Sequence, residues 1–528
     1  MRDFQKPGRS VAYSSRAMCA TSHPHATLAA LDVLKEGGNA VDAAVAASAV
    51  LCVVEPQSTG IGGDCFAIIA RPGEPLRGLN ASGRSPMGLD PEPLLASGAE
   101  RIDVNSPHAV TVPGAIDGWS MLIEAYGTRG FDRLLAPAIA HAEDGFVVTP
   151  RVASDWRREE PRLRHHAGAR RHLLKDGAAP AEGAIMHSPA LAQSLRAIAR
   201  EGRRGFYEGA VAEDMVATLR ALGGAHALED FARHRGQWVE PIAGAHAGLD
   251  LAEIPPNGHG VTALVILAIL DRLGVKPDGP VTARRYHLLI EAARQAYRAR
   301  DTFIADPEKA DVPLAHLLSG ALADELASRI DPDRRRADLG PVPPPPGSDT
   351  IYLSVVDRDG MAVSFINSVF WSFGSAIVSE KTGIALQNRG CGFVLSRGHR
   401  NVLAPAKRPL HTIIPAMATR NGEAEICFGV MGGAYQPVGH VTAFTNMVDF
   451  GLDPQAALDA PRCFFEGDSL VAEHGVPDDV AATLGAMGHA VVRPDEPLGG
   501  GQIIRIDRAR GVLIGGSDPR KDGFVAGL

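Results

Sequence analysis

Gly340-Pro341-Val342-Pro343-Pro344-Pro345-Pro346-Gly347-Ser348-Asp349-Thr350-Ile351-Tyr352-Leu353-Ser354-Val355-Val356 is the stretch on which the fold turns. Its proline-rich first part cannot enter a helix or a central strand, because proline lacks the amide donor and fixes φ. Its second part is an apolar, β-branched run suited to a buried strand. Thr350 therefore carries a hydroxyl to the point where an exposed linker meets a buried strand. A cut before Thr350 would give that residue a free α-amine, so that one residue supplies both nucleophile and general base. An α-amine titrates near pH 7.7–8.0, and roughly a tenth of it is neutral at pH 7 without special tuning.

Downstream of Thr350 the pattern is one of strands. Ile351 to Asp357 and Met361 to Asn367 flank Arg358-Asp359-Gly360, and the Asp-Gly pair predicts a hairpin. Further strands are expected at Glu425 to Val430, Ala490 to Val492, Gln502 to Ile506 and Val512 to Ile514, with a helix at Val438 to Asp449 among them. Upstream of the linker, helices dominate. One covers Pro24 to Lys35 and stops at Gly37-Gly38, and a second starts after the N-cap candidate Asn39 and runs toward Pro56. Others are expected over about 114–126, 133–144, 189–201, 207–221, 283–305 and 315–328, with a strand at Cys65 to Ala70. The class is α+β, with packed sheets covered by helices.

The 528 residues are 45% apolar and 22% charged, which supports a well-buried core. A net charge of -8 gives no electrostatic reason to expect nucleic acid or an anionic membrane as partner. A basic cluster at Arg157, Arg158, Arg162, Arg164, His165, His166, Arg170 and Arg171 is offset by Glu159 and Glu160 and reads as a solvated helix face or loop. The N-terminal residues lack the apolar core of a signal peptide, and the longest apolar stretch, Ala40 to Val54, contains Asp42 and is too short to span a bilayer. A cytoplasmic location is the expectation. The six cysteines are scattered without ligand spacing and are expected as reduced thiols.

Three glycine segments lie where backbone could approach a substrate. Gly60-Ile61-Gly62-Gly63-Asp64 lacks the spacing of a dinucleotide or Walker loop. Met431-Gly432-Gly433-Ala434 follows a strand and precedes a helix, where free amides can face an anion; a plain tight turn is the alternative. Gly516-Ser517-Asp518-Pro519-Arg520 follows the last long strand and reads as a turn. No Gly-x-Ser-x-Gly elbow and no His-Glu-x-x-His occurs, so neither an ordinary serine hydrolase nor a zinc site is indicated, and no metal or other cofactor is expected.

These segments together resemble the γ-glutamyltranspeptidase family of N-terminal nucleophile hydrolases. The likeness runs in order through Ala20-Thr21-Ser22-His23-Pro24, Gly37 to Ala44, Glu55-Pro56, Gly60 to Gly63, Asp349-Thr350, Phe373-Gly374-Ser375, Arg408-Pro409, Gly432-Gly433 and Ser517 to Arg520. The resemblance implies a four-layer αββα sandwich and an inactive precursor that cuts itself between Asp349 and Thr350. The products would be a large fragment, 1–349, and a small one, 350–528, intertwined as one domain and capable of pairing as a dimer. It implies Thr350 as nucleophile with its own amine as base, Ser368 as a second hydroxyl touching it, and Gly432 and Gly433 as the oxyanion hole.

Several positions depart from the family pattern. Where the family binds an α-carboxylate through the Arg of Asn-Ala-Arg-Glu, this chain reads Asn80-Ala81-Ser82-Gly83-Arg84. Where it holds an α-amine with carboxylates, this chain has Arg389 and, in place of an Asp, Gly392; a family Asn is Phe370, and paired serines are His411 and Thr412. An ammonium site is lost and positive charge is gained. An unpartnered buried ammonium costs about 3–5 kcal/mol, so an acyl group with a carboxylate and no amine fits better. Arg84, Arg389, His411 and Thr412 are the candidate substrate contacts, with either Arg able to fork onto a carboxylate or to serve a structural ion pair. Phe370, Trp371 and Phe393 either shorten the cavity or belong to the core.

The pattern resembles the amidohydrolase and acylase-like branch of the family, which implies a small-molecule amide as substrate. Oxamate, cleaved to oxalate and ammonia late in purine nitrogen recovery, is the expected one. A γ-glutamyl hydrolase or transpeptidase, a glutaryl-type β-lactam acylase, and an uncleaved scaffold protein are the alternatives.

Overall fold

The computed structural model describes Gln5 and residues 8–274, 279–337 and 350–528. Asp349 and the proline-rich tract before it lie outside the described residues. Two seven-stranded sheets form the centre. The first runs from edge to edge as Phe524–Gly527, Met18–Thr21, Ile351–Val356, Ala362–Ser368, Asp64–Ala70, Arg77–Ala81 and Gln237–Val239. The second runs as Ala12–Ser14, Val512–Ser517, Gly500–Asp507, Glu423–Met431, Ala416–Arg420, Leu249–Glu253 and Ile242–His246. Neighbouring strands in both sheets are antiparallel, and each sheet draws strands from both sides of Thr350.

Strand alternation sorts the core into layers. Ile351, Leu353 and Val355 face outward and join Cys65, Ala67 and the helix Ala40–Val54 in one apolar cluster. Tyr352 and Val356 point the other way, into a cluster with Met417, Cys427, Met431 and Ile504 of the second sheet. The outer face of that sheet, Ala416, Ala418, Ile426, Phe428 and Val430, is covered by helices Gly260–Leu273, Ala283–Phe303 and Gln436–Val448. The result is the expected αββα sandwich.

The apolar stretch Ala40–Val54 is a helix buried on every side, with all its residues in the core. Asn39 caps it: its side chain accepts from the amides of Val41 and Asp42, both at 3.0 Å, and Asp42 accepts in return from the Asn39 amide at 3.0 Å. The Asn39 side-chain Nδ2 donates to the Tyr126 carbonyl at 2.6 Å. Asn39→Ala is expected to lower the unfolding free energy by about 1–2 kcal/mol, read as a lower denaturant midpoint with an unchanged slope.

Several regions differ from the sequence expectation, among them the following two. Gly260–Leu273 is a helix where none was expected, because its apolar residues surround it instead of forming a stripe. The basic cluster forms helices Pro150–Leu163 and Ala167–Leu173 and is not all solvated. Arg162 turns inward and donates to the carbonyls of Ser372 at 3.0 Å and Gly374 at 2.6 Å, tying down the segment that follows Ser368. The six cysteines are free thiols. Among the described residues, no helix is long and apolar enough to cross a membrane.

Candidate active site

Register brings the site together. Ile351 pairs with Asn367, and the hairpin opens so that Thr350 lies beside Ser368; Ser368 in turn pairs with Asp64 in the next strand. Three strand ends thus align at one end of the first sheet. Thr350, buried, donates from Oγ1 to Ser368 Oγ at 3.1 Å. The loop entering Asp64 crosses closely over Ser368. A Cβ on Gly63 would lie 2.3 Å from the Ser368 carbonyl oxygen, so only glycine fits. The Gly60–Gly63 segment therefore packs against backbone here.

Ser368 Oγ also receives the Phe370 amide at 2.9 Å and Arg389 Nη2 at 3.3 Å. Arg389 begins the short helical turn Arg389–Gly392 and is fully buried. Its Nη1 donates to Thr412 Oγ1 at 2.7 Å, and its guanidinium lies 4.1 Å over the Phe370 ring. Phe370 reaches that place at a φ of 83°, a conformation a bulky residue adopts only when its surroundings enforce it. Among the described residues, Nε of Arg389 has no hydrogen-bond partner and no carboxylate pairs directly with the guanidinium. Burial pulls the Arg389 pKa down to about 9, with the charge of Asp64 opposing that fall.

Asp64 is the nearby negative charge. Its Oδ1 accepts from the amides of Gly83 at 3.1 Å and Gly114 at 2.9 Å and from Gln387 Nε2 at 2.9 Å. Its Oδ2 accepts from His411 Nε2 at 3.1 Å. Burial raises its pKa to about 6, against the lowering effect of Arg389 and of these donors. His411 Nδ1 accepts from the Ile413 amide at 3.3 Å, which leaves the ring proton on Nε2 and the imidazole neutral. Burial and the charges of Arg389 and Arg408 hold its pKa well below the usual histidine range.

The structure thus gathers Thr350, Ser368, Arg389 and Thr412 into one bonded chain. It places His411 behind them, with both ring nitrogens engaged. Arg84 points elsewhere: its Nη2 pairs with Glu308 at 2.8 Å, 24% exposed. Gly432 and Gly433 form the turn after strand Glu423–Met431, with φ values of 118° and 54°. At Gly432 a Cβ would sit 2.9 Å from Gly499 Cα. This turn borders a cleft of about 570 Å³ also lined by Trp371, Ser372, Tyr435 and Pro497. Phe393 packs with Leu89, Ile102, Ala109 and Leu403 in a small cluster of its own.

Asp64 and Gln387 were not among the candidates drawn from the sequence. The available signal was a lone acid between Gly62-Gly63 and the wholly apolar run Cys65–Ala70, where an unpaired carboxylate has no place. The Gly516–Arg520 segment is more than a turn: Asp518 pairs with Arg462 and Arg520, and Arg520 reaches Glu473 at 2.5 Å, in a mostly buried ion network. Among the described residues, no group of three or more His, Cys, Asp or Glu side chains is arranged to hold a metal ion.

Comparison with known proteins gives a consistent set. The family model described as Gamma-glutamyltranspeptidase matches residues 26–528. The chain is 36% identical to a glutathione hydrolase-like YwrD proenzyme of Bacillus subtilis, over 97% of this chain and 99% of that protein. It is 36% identical to an oxamate amidohydrolase proenzyme of Klebsiella pneumoniae, with the same coverage of both chains. Among solved structures, the cephalosporin acylase from Bacillus halodurans superposes with a TM-score of 0.92 at 40% identity, covering 100% of this chain and 99% of that one.

Proposed function

The chain belongs to the γ-glutamyltranspeptidase family of N-terminal nucleophile hydrolases and is an amidohydrolase, and from that premise we propose that its substrate is a short amide bearing a carboxylate, with oxamate as the specific candidate. One observation carries this reading. Ser368 Oγ touches both the Thr350 hydroxyl and the Arg389 guanidinium, so a fully buried cation sits two hydrogen bonds from the nucleophile. Attack requires the reacting atoms about 3–3.5 Å apart. A carboxylate held by Arg389 then leaves room for only a short acyl chain, and in oxamate the carboxylate is bonded directly to the amide carbon. Among the described residues this guanidinium has no direct ion pair, and so buried it is a costly group that a ligand carboxylate would satisfy.

The precursor is cut between Asp349 and Thr350, giving fragments 1–349 and 350–528 that stay associated. Thr350 Oγ attacks the amide carbon while the Thr350 amine takes the hydroxyl proton. The amides of Gly432 and Gly433 stabilise the tetrahedral oxyanion. Collapse breaks the C–N bond, and the ammonium form of the Thr350 amine gives its proton to the departing amide nitrogen, which leaves as ammonia. Water, deprotonated by the same amine, then hydrolyses the Thr350 ester and releases oxalate.

This account fixes a pH profile. The Thr350 amine must be neutral, which places the acid limb of kcat/KM near pH 7.7–8.0. Arg389 must be charged, and its pKa of about 9 places the alkaline limb there. A narrow bell between these limits is expected for oxamate. The substrate assignment is tested by kcat/KM for oxamate, a γ-glutamyl anilide and a glutaryl amide side by side. Oxamate is expected to lead; a higher value for either longer acyl group would return the pocket to the glutamyl or glutaryl class.

A further inference from the structure

We propose that Asp64 is a positioning residue that sets the carboxylate preference of the acyl pocket, acting as a buried counter-charge that steadies Arg389 without occupying its donors. The proposal rests on Arg389 being the ligand of the acyl carboxylate.

Asp64 and Arg389 are both fully buried and oppositely charged, yet they form no direct pair. Four other donors hold the Asp64 oxygens: the Gly83 and Gly114 amides, Gln387 and His411. A carboxylate so held is ionised and cannot swing onto Arg389. A direct fork between the two would fill the guanidinium face and leave nothing to offer a substrate. A counter-charge held back does the opposite. It offsets the cost of burying the cation, while Arg389 Nε stays without a partner among the described residues and Nη2 faces the nucleophile through Ser368.

Neutral His411 fits the same design. Its Nε2–H spans to Asp64 while its neighbour in sequence, Thr412, accepts from Arg389, so one segment touches both members of the pair. Gln387 does likewise from the other side, two residues before Arg389. Among the described residues, the charged and titratable groups that face Asp64 are Arg389, His411, Arg408, Cys65 and Tyr207; those facing Arg389 are Asp64, His411 and Cys391. Only Arg389 and Arg408 among them are cations. Arg408 donates to the Ser82 carbonyl and to Gln237 and is thereby turned away from the nucleophile.

The test uses the matured protein and two amides of nearly one shape, oxamate and its uncharged counterpart oxamide. Asp64→Asn keeps size and most acceptor positions but removes the charge. It is expected to raise KM for oxamate roughly 10- to 100-fold with a smaller change in kcat, to alter kcat/KM for oxamide only several-fold, and to move the alkaline limb for oxamate to lower pH. Equal losses on both amides, with the alkaline limb unmoved, would make Asp64 a purely structural residue and overturn the proposal. If Asp64→Asn fails to mature, Gln387→Leu, which removes one of the donors that hold Asp64 back, is expected to lower the oxamate-to-oxamide ratio by a smaller factor; an unchanged ratio overturns the proposal. Arg389→Met is run in parallel. If it leaves the oxamate-to-oxamide ratio untouched, the reading of Arg389 fails and the role given to Asp64 falls with it; a ratio lost in Arg389→Met but kept in Asp64→Asn overturns the role of Asp64 alone.

Discussion

Thr350→Ala is expected to accumulate as one uncut chain of 55.6 kDa and to lose amide hydrolysis by roughly 10⁵–10⁶-fold. The loss is large because a single substitution removes the attacking oxygen and, by blocking the cut, also prevents formation of the amine that would act as base. The Gly432-Gly433 turn and the Arg389 guanidinium are not altered. Intact-mass measurement and an ammonia assay read the two effects separately. Thr350→Ser keeps a hydroxyl in place and is expected to mature and hydrolyse, more slowly. A Thr350→Ala protein that still separates into fragments near 1–349 and 350–528 would show that another group performs the cut.

Arg389→Met is expected to lower kcat/KM for oxamate by about 10²–10³-fold, corresponding to about 3–4 kcal/mol. Methionine can still lie across the Phe370 ring, so the packing loss is small beside the loss of charge. The effect should fall on KM more than on kcat, since the carboxylate is bound equally in ground and transition states. Asp64 would be left as a buried carboxylate without its compensating cation, so a lower melting temperature is expected as well. Rates should therefore be normalised to the fraction of folded, cleaved enzyme. An unchanged KM for oxamate would remove Arg389 from the acyl site.

The parts of this architecture that were legible in the sequence are those written in local chemistry. Asn39 announces a capped helix, and Asp359-Gly360 announces the hairpin whose strands end at Thr350 and Ser368. Thr350 was legible as the residue that leads into a strand, Ile351–Val356. The partners of these residues were not legible, because register sets them across long separations. Asp64 reaches Ser368 through strand pairing and His411 through the fold of the whole chain. Arg84 finds Glu308, 224 positions away, and no local pattern signals that an arginine beside a glycine motif will be taken up by such an ion pair. Helix Gly260–Leu273 was missed for a related reason: a segment buried on all sides loses the periodicity by which helices are recognised. The positions that the sequence reading set apart from the family pattern, Phe370, Arg389, His411 and Thr412, proved to be neighbours. Phe370 and Thr412 both touch Arg389, and His411 precedes Thr412 in the chain and bonds to Asp64.

The most direct measurement is ammonia release from oxamate by the matured protein at pH 8–9, with Thr350→Ala beside it. The account predicts release that depends on Thr350, saturates with oxamate and yields one oxalate per ammonia. A fully cleaved enzyme that releases no ammonia from oxamate, while turning over a γ-glutamyl or glutaryl amide, would contradict it.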